Sequence, residues 1–572
     1  MRVSDYIVKF LIENDVDIVF GVPGDTSMCF HNAFEKEKAS IKYLACRDER
    51  HAVYMADTYS RVSGKIGVCD VPSGGGLLYA VPGLSEATSS SIPIVCFSSD
   101  IAMDSEGTGA LTELKQEAVS EAVTKWNITL KKPSKTLHTM KKAFRIAQNG
   151  RPGAVHISIP EDVHESEVKG NIEGTLSIQK NKYVNYPASE NVDQVTKLFS
   201  GAERPIILAG GGVHLSSAHH SLENIAINYD IPVVTSLNGK GAVKETLEQS
   251  LGVIGVNGGQ EVINEVVQSS DLVLVLGSKL NNVTTVGKTL FNKEAKLIQV
   301  DISEEILDLN FDTTLSFQTD INSFLTQLNL SLSENNYKNN NEEYKRICIE
   351  QSKKSVTELT EEIDRETPLV NPAQIVSKLD KLTDENAIFV MDAGTQNPYM
   401  ATIYKTKKST RQTVFDRGHG NLGYALSAAF GAYYAKPEAS KVFSLFGDGS
   451  FAMSAGELET AARENTPIVF MHFQNNTYGW IKKLHQLYYD EKYIAVDFNE
   501  IEGSKVAEGF GVKSRKITHN DEVEDAIQWA INEKGPVFLD FYIELITDII
   551  PPVTNWRADS KKDPKDRQAL TY

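Results

Sequence analysis

Residues 441–480 read KVFSLFGDGSFAMSAGELETAARENTPIVFMHFQNNTYGW, and this stretch decides the fold. One apolar run ends in Gly447-Asp448-Gly449-Ser450, a helical pattern follows, and a second apolar run ends in Asn475-Asn476. Strand, turn, helix and strand in that order form a βαβ unit, whose two strands lie parallel in one sheet. The ends of those strands are neighbours, so the Asp448 carboxylate and the Asn476 amide oxygen can converge on one hard cation. Mg²⁺ favours such oxygen ligands and keeps diphosphate oxygens in its shell. Gly447 and Gly449 allow the backbone to approach closely, and Gly449 and Ser450 at the helix start can offer N–H groups to phosphates. A lone Gly-Asp-Gly is a common turn. Followed at this distance by Asn-Asn, with a strand before each, it is much more specific.

The same rhythm of apolar run, glycine turn and helical pattern recurs along the chain. It appears in DIVFGVPGD (17–25), KIGVCDVPSGGG (65–76), RPIILAGGG (204–212), DLVLVLGSK (271–279) and NAIFVMDAGT (386–395). Alternating strands and helices predict an α/β protein of parallel sheets flanked by helices, with ligands at the carboxyl ends of the strands. A chain of 572 residues is too long for one core, and three domains of roughly 150–180 residues are expected. Polar stretches at 164–187 and 330–351 divide the chain into units at 1–165, 188–330 and 370–550, with a Lys/Asp-rich tail at 551–572. The second stretch reads as an exposed connector that turns helical towards its end. Asn371-Pro372 has the form of an N-cap followed by proline at the first helical position, so a unit restarts there.

A net charge of −18 argues against nucleic acid or an anionic membrane surface as the main partner. The five cysteines, Cys29, Cys46, Cys69, Cys96 and Cys348, are scattered without a CxxC pair, which predicts reduced thiols rather than disulfides or a zinc site. The charged amino terminus has no apolar signal core, and no run approaches the length of a membrane span; the cytoplasm is the expected location.

The Gly447–Asn476 pattern resembles the thiamine-diphosphate (ThDP) signature of the acetolactate synthase, pyruvate oxidase and benzoylformate decarboxylase superfamily. Carried over by position, the resemblance makes Asp448 and Asn476 side-chain metal ligands and gives the Tyr478 carbonyl as a third. Arg47-Asp48-Glu49-Arg50-His51-Ala52, continuing VYMADTYSR, is similar to the family segment that bears an essential glutamate. Glu49 then takes the role of hydrogen-bonding the aminopyrimidine ring, and a carboxyl held there away from water has a raised pKa. Asp48 stands where the family has histidine.

Further segments fall into register. FGVPGD (20–25) resembles the loop at the active-site mouth, with Asp25 a candidate proton relay, and VPSGGG (71–76) a neighbouring turn. MDAGTQN (391–397) resembles a diphosphate loop, making Gly394, Thr395 and Gln396 candidates. HGNLGYALSAAFGA (419–432) places Leu422 at the large apolar residue beneath the cofactor, and His419 is the best candidate for a site histidine. The family order is pyrimidine-binding, central and diphosphate-binding domain, with the active site between subunits of a homodimer or homotetramer.

The resemblance implies ThDP- and Mg²⁺-dependent decarboxylation of a 2-oxo acid, and the sequence texture favours the acetolactate synthase-like group, in which carboligation follows. Leu111-Thr112-Glu113 and His485 depart from that group, whereas Gly24-Asp25 resembles simple pyruvate decarboxylases. A simple decarboxylase, a ThDP enzyme acting on another donor, a dinucleotide-dependent oxidoreductase and a non-catalytic relative are the alternatives. Lys482 is a candidate cation for a substrate carboxylate. Glycine turns at 210–212, 255–259 and 277–279 stand where some relatives cradle FAD or another adenine nucleotide. None is a GxGxxG with a downstream acid, which weakens the dinucleotide-dependent oxidoreductase. KLNNVTT (279–285) replaces the relatives' Arg/Asp pattern, so FAD is not favoured.

Overall fold

The computed structural model describes residues 1–168, 176–178, 185–339 and 341–569. Apolar β-rich runs such as Leu272–Leu276 (LVLVL) form strands buried on both faces, and helices cover both sides of each sheet. Three six-stranded sheets result, and every strand pairing within them is parallel.

The amino-terminal sheet runs Lys42–Ala45, Ile18–Gly21, Gly67–Val71, Ile94–Asp100, Ala154–Pro160, Trp126–Thr129. The carboxy-terminal sheet runs Thr413–Phe415, Ile388–Met391, Val442–Gly447, Ile468–Gln474, Val537–Tyr542, Lys513–Ile517. In chain order both read 2-1-3-4-6-5, so the outer units share one topology. The central sheet runs Leu315–Gln318, Lys296–Asp301, Leu272–Leu276, Pro205–Ala209, Val233–Thr235, Ser250–Val253. From its far edge this is 3-2-1-4-5-6, the order of dinucleotide-binding folds, which the sequence alone did not reveal.

Strand order locates the sites. In an open parallel sheet a crevice forms at the carboxyl ends of two neighbouring strands whose connections leave to opposite sides. In the first unit that switch falls between Ile18–Gly21 and Gly67–Val71, and in the third between Ile388–Met391 and Val442–Gly447. The loops beyond those strands carry Asp25 and Gly76 in one unit, and Gly394 and Asp448 in the other.

The first and third units share a core. The helix Glu49–Ser63 packs on the helix Tyr424–Ala435, with Ala52, Met55 and Tyr59 among Ala425, Ala428 and Phe430. The Tyr424 hydroxyl donates to Asp57 at 2.5 Å. At the start of the Glu49 helix, Asp48 is the N-cap and accepts the Arg50 N–H at 2.8 Å.

Asn371 caps the helix Pro372–Leu382, as its sequence suggested. The first polar stretch, 164–187, lies largely outside the described residues. The second is mostly helical, completing Ile321–Glu334 and opening Glu342–Asp364. Its Tyr344 and Cys348, one turn apart, are buried with Val262 and Val266, so this part is core rather than an exposed connector. The tail folds back: Trp556 packs on Trp480 with ring centroids 4.3 Å apart, and the Thr554 N–H bonds Val256. All five cysteines are free. Among the described residues no helix is long and apolar enough to cross a membrane.

Candidate active site

The third unit brings its candidates together. Register pairs Gly447 with Phe473, so the Asp448 and Asn476 loops emerge side by side. Asp448 begins the helix Asp448–Ser454, where a carboxylate is favoured by the helix dipole. Its oxygens accept the Asn475 N–H at 3.1 Å and the Asn476 N–H at 3.2 Å. Asn476 has φ +57°, a left-handed conformation that asparagine tolerates. Its amide oxygen accepts from Gln474 at 3.2 Å, and the Tyr478 carbonyl accepts the Lys482 N–H at 2.9 Å.

Gly449 is required by close approach, because a Cβ there would collide with the Tyr478 ring. The same Cβ would lie 3.5 Å from Leu422 Cδ1, so Leu422, Gly449 and Tyr478 form one wall. Burial raises the Asp448 pKa, opposed by His472, whose Nε2 lies 3.8 Å from it. His472 is itself held by Asp540 at 2.9 Å. A largely buried carboxylate and an amide oxygen on adjoining loops are donors that suit a divalent cation. Among the described residues no three His, Cys, Asp or Glu side chains could hold a metal by themselves. Oxygen donors from Asp448, Asn476 and a carbonyl leave further positions of an octahedral shell for water or ligand oxygens.

Gly394, Thr395 and Gln396 lie at the end of the strand Ile388–Met391. The Gln396 side chain is buried and donates to the Asp392 carbonyl at 2.7 Å. Asp392 is a residue that sequence reading passed over. Its carboxylate accepts the N–H groups of Ala393, Gly423 and Ala425, and burial lifts its pKa to about 7. It thereby ties the Gly394 loop to the Leu422 loop, with Ser450 as a further partner.

The first unit gathers a second group at its own switch point. Glu49 is half-buried, and burial raises its pKa, with Asp48 adding to the effect. Its Oε1 lies 3.3 Å from where a Cβ on Gly76 would stand, beside the VPSGGG turn. Asp25 is exposed and accepts the Thr26 N–H at 2.9 Å. Thr26 in turn joins Ser73 at 3.0 Å and Ser99 at 2.7 Å, and Ser73 joins Thr112 at 2.8 Å. Among the described residues no hydrogen bond or ion pair joins this group to the Asp448 group within one chain.

His419 is exposed and bonds Ser85 at 2.7 Å. It lines a cleft of about 610 Å³ between the three units, together with Arg151, Lys279, Asp301 and Trp480. This cleft lies beyond the switch point of the central sheet, and Asp448 is not among the residues that line it. Two of the central glycines serve packing there, since a Cβ on Gly210 or Gly212 would collide with the backbone of Gly277. Lys482 is no free cation: it pairs with Asp497 at 2.6 Å and lies over the Tyr493 ring.

Comparison with known proteins matches three family models to the three units. Residues 1–119 match the thiamine pyrophosphate enzyme N-terminal TPP binding domain, 192–328 the central domain and 392–541 the C-terminal TPP binding domain. The chain is similar to a probable acetolactate synthase large subunit of Methanococcus aeolicus, 31% identical over 96% of this chain and 94% of the relative. One of Methanocaldococcus jannaschii is 31% identical over 99% and 96%. An acetolactate synthase large subunit of Haemophilus influenzae is 29% identical over 96% and 95%.

Proposed function

Because this chain belongs to the thiamine pyrophosphate enzyme family, in its acetolactate synthase-like group, we propose that it decarboxylates a 2-oxo acid and joins the retained fragment to a second carbonyl compound. The observation that carries this reading is the Asp448 carboxylate closed onto Asn475 and Asn476 at a sheet switch point. The bound cofactor supplies an electron sink, allowing a carbonyl carbon to lose CO₂ and then form a new carbon–carbon bond.

The chain's own residues do the rest. Asp448, Asn476 and the Tyr478 carbonyl would hold Mg²⁺. Gly394, Thr395, Gln396, Gly447, Gly449 and Ser450 would receive the diphosphate on backbone N–H groups and a helix start. Leu422 would give the cofactor an apolar support. Glu49, with its carboxyl pKa raised by burial, would hold and return a proton at its side-chain oxygen. Asp25, at the mouth, would exchange protons with solvent, and His419, from the cleft side, would contact substrate.

The likeness to the family implies an active site completed by a second copy, in a homodimer or a homotetramer. FAD is not favoured in the central cleft, because KLNNVTT (279–285) stands where relatives have an Arg/Asp pattern. A flavin absorption band in the purified protein would overturn that.

The family matches and relatives do not favour a simple decarboxylase or a dinucleotide-dependent oxidoreductase. The test is CO₂ release from a panel of 2-oxo acids, with and without ThDP and Mg²⁺, and identification of each organic product. A hydroxyketone product that requires both additions is expected. Release of an aldehyde alone, or no release from any acid, would overturn the reading.

A further inference from the structure

The loop 416–423 carries His419 and Leu422, and one buried carboxylate anchors it. Glu86, in the helix Gly75–Ser89, is fully buried. Its Oε1 accepts from Arg61 at 3.0 Å, Ser90 at 2.7 Å and the Gly418 N–H at 2.9 Å. Its Oε2 accepts the His419 N–H at 2.7 Å. The fit is close: a Cβ on Gly418 would stand 2.5 Å from that oxygen. Glu86 thus ties the third unit to the first, across 332 residues of sequence between it and Gly418.

Asp416 opens this loop, is buried, and faces Glu86. Neither of its oxygens has a hydrogen-bond donor among the described residues. As a carboxylate it would be a buried charge with no donor, set against a second carboxylate, an arrangement that proteins avoid. As a carboxylic acid it has a hydrogen to give, and Glu86 is the acceptor it meets. Facing Asp416 are Glu86, Arg61 and Tyr54 on the two helices of the first unit, and Asp392 at the end of its neighbouring strand. Arg61 does not neutralise it alone, being shared with Asp57 at 2.7 Å and Glu86. Burial and the Glu86 charge hold the Asp416 carboxyl well above the usual range.

We propose that Asp416 and Glu86 share one proton and act as a positioning pair that locks the 416–423 loop, setting Leu422 against Gly449 and Tyr478. Opening the loop breaks the O–H···O bond, Asp416 loses its proton to solvent, and Glu86 remains a carboxylate. Raising the pH therefore favours opening, by up to about tenfold per pH unit between the ordinary aspartate range and the raised value of the closed pair. The effect on cofactor binding rests on the proposed function; the lock itself does not.

Native-state amide exchange over 416–423 tests this in the full chain, with ThDP and Mg²⁺ affinity measured alongside. Asp416→Asn can donate to Glu86 without a titrating proton, so its loop should stay protected. The ratio of loop opening in the unmodified protein to that in Asp416→Asn should rise with pH, which cancels the intrinsic pH dependence of exchange. Glu86→Gln presents an amide where two N–H donors point, and its loop should open at least about tenfold more, with ThDP affinity falling in step. Parallel pH dependences in the unmodified protein and Asp416→Asn would overturn the shared proton. So would an Asp416→Asn loop as open as that of Glu86→Gln. If Glu86→Gln does not fold, the Asp416→Asn comparison decides. An unmodified protein that fails to bind ThDP would sink the proposed function, while exchange still judges the lock.

Discussion

Asp448 and Asn476 are joined directly: the Asp448 carboxylate accepts the Asn476 N–H at 3.2 Å, which ties together the two loops that carry the candidate metal ligands. A hydrogen bond between two loops restricts how far either can move from the other, which lowers the cost of holding a ligand between them.

Asp448→Ala removes both the ligand and the acceptor for two backbone N–H groups. ThDP retention at limiting Mg²⁺ should fall by more than about tenfold. Equilibrium dialysis at graded Mg²⁺ measures it, and unchanged retention would remove Asp448 from the metal site.

Gly449→Ala places a methyl group into the Tyr478 ring. The expected cost is about 1–3 kcal/mol of stability, together with weakened cofactor binding. Adding Tyr478→Leu should recover part of the stability, so the two changes should be non-additive in a double-mutant cycle. Strict additivity in urea unfolding would show that the collision is relieved elsewhere.

Asp392 has a folded pKa of about 7 against an ordinary 3.8. A raised carboxyl pKa contributes stability that is fully present below the ordinary value and is lost as pH rises through the folded value. The unmodified protein should therefore lose stability relative to Asp392→Asn between about pH 4 and pH 7, and hold a constant difference above that. Urea unfolding of both proteins at several pH values gives the comparison; a difference that does not vary with pH would show that Asp392 is ionised in the fold throughout.

Glu49→Gln should abolish turnover and leave the fold intact. Mixed with Asp448→Ala and reassociated, it should recover about a quarter of the unmodified activity if each site uses one residue from each of two copies. Half the dimers are then mixed, and one of their two sites is whole. No recovery, with mixed dimers shown to form, would place both residues of a site in one chain.

Asp48→Ala tests a residue whose role the family pattern obscured. It deletes the N-cap of the Glu49 helix and should cost about 0.5–2 kcal/mol. Thermal unfolding reads this directly, and an unchanged midpoint would mean that the Arg50 pairing contributes nothing.

Much of the fold was legible because its signals are local. Apolar runs ending in glycine turns read as buried parallel strands, and Asn371-Pro372 read as a helix start. Gly447-Asp448-Gly449 and Asn475-Asn476 declared themselves by spacing, since a βαβ unit brings neighbouring strand ends together wherever it occurs. The helix from 342 was harder. Its polar composition suggested an exposed connector, and only the packing of Tyr344 and Cys348 on the central unit shows that one face is core.

By itself, then, the sequence determined the α/β class, the cofactor-binding signature and the helix start at Asn371-Pro372, because these depend on residues within one local unit of the chain. The tertiary structure alone decided the strand orders, the pairing of Lys482 with Asp497, and the environments of Asp392, Glu86 and Asp416. The reason is that a carboxyl's proton affinity follows burial and the charges around it, and here those are assembled from segments tens to hundreds of residues apart.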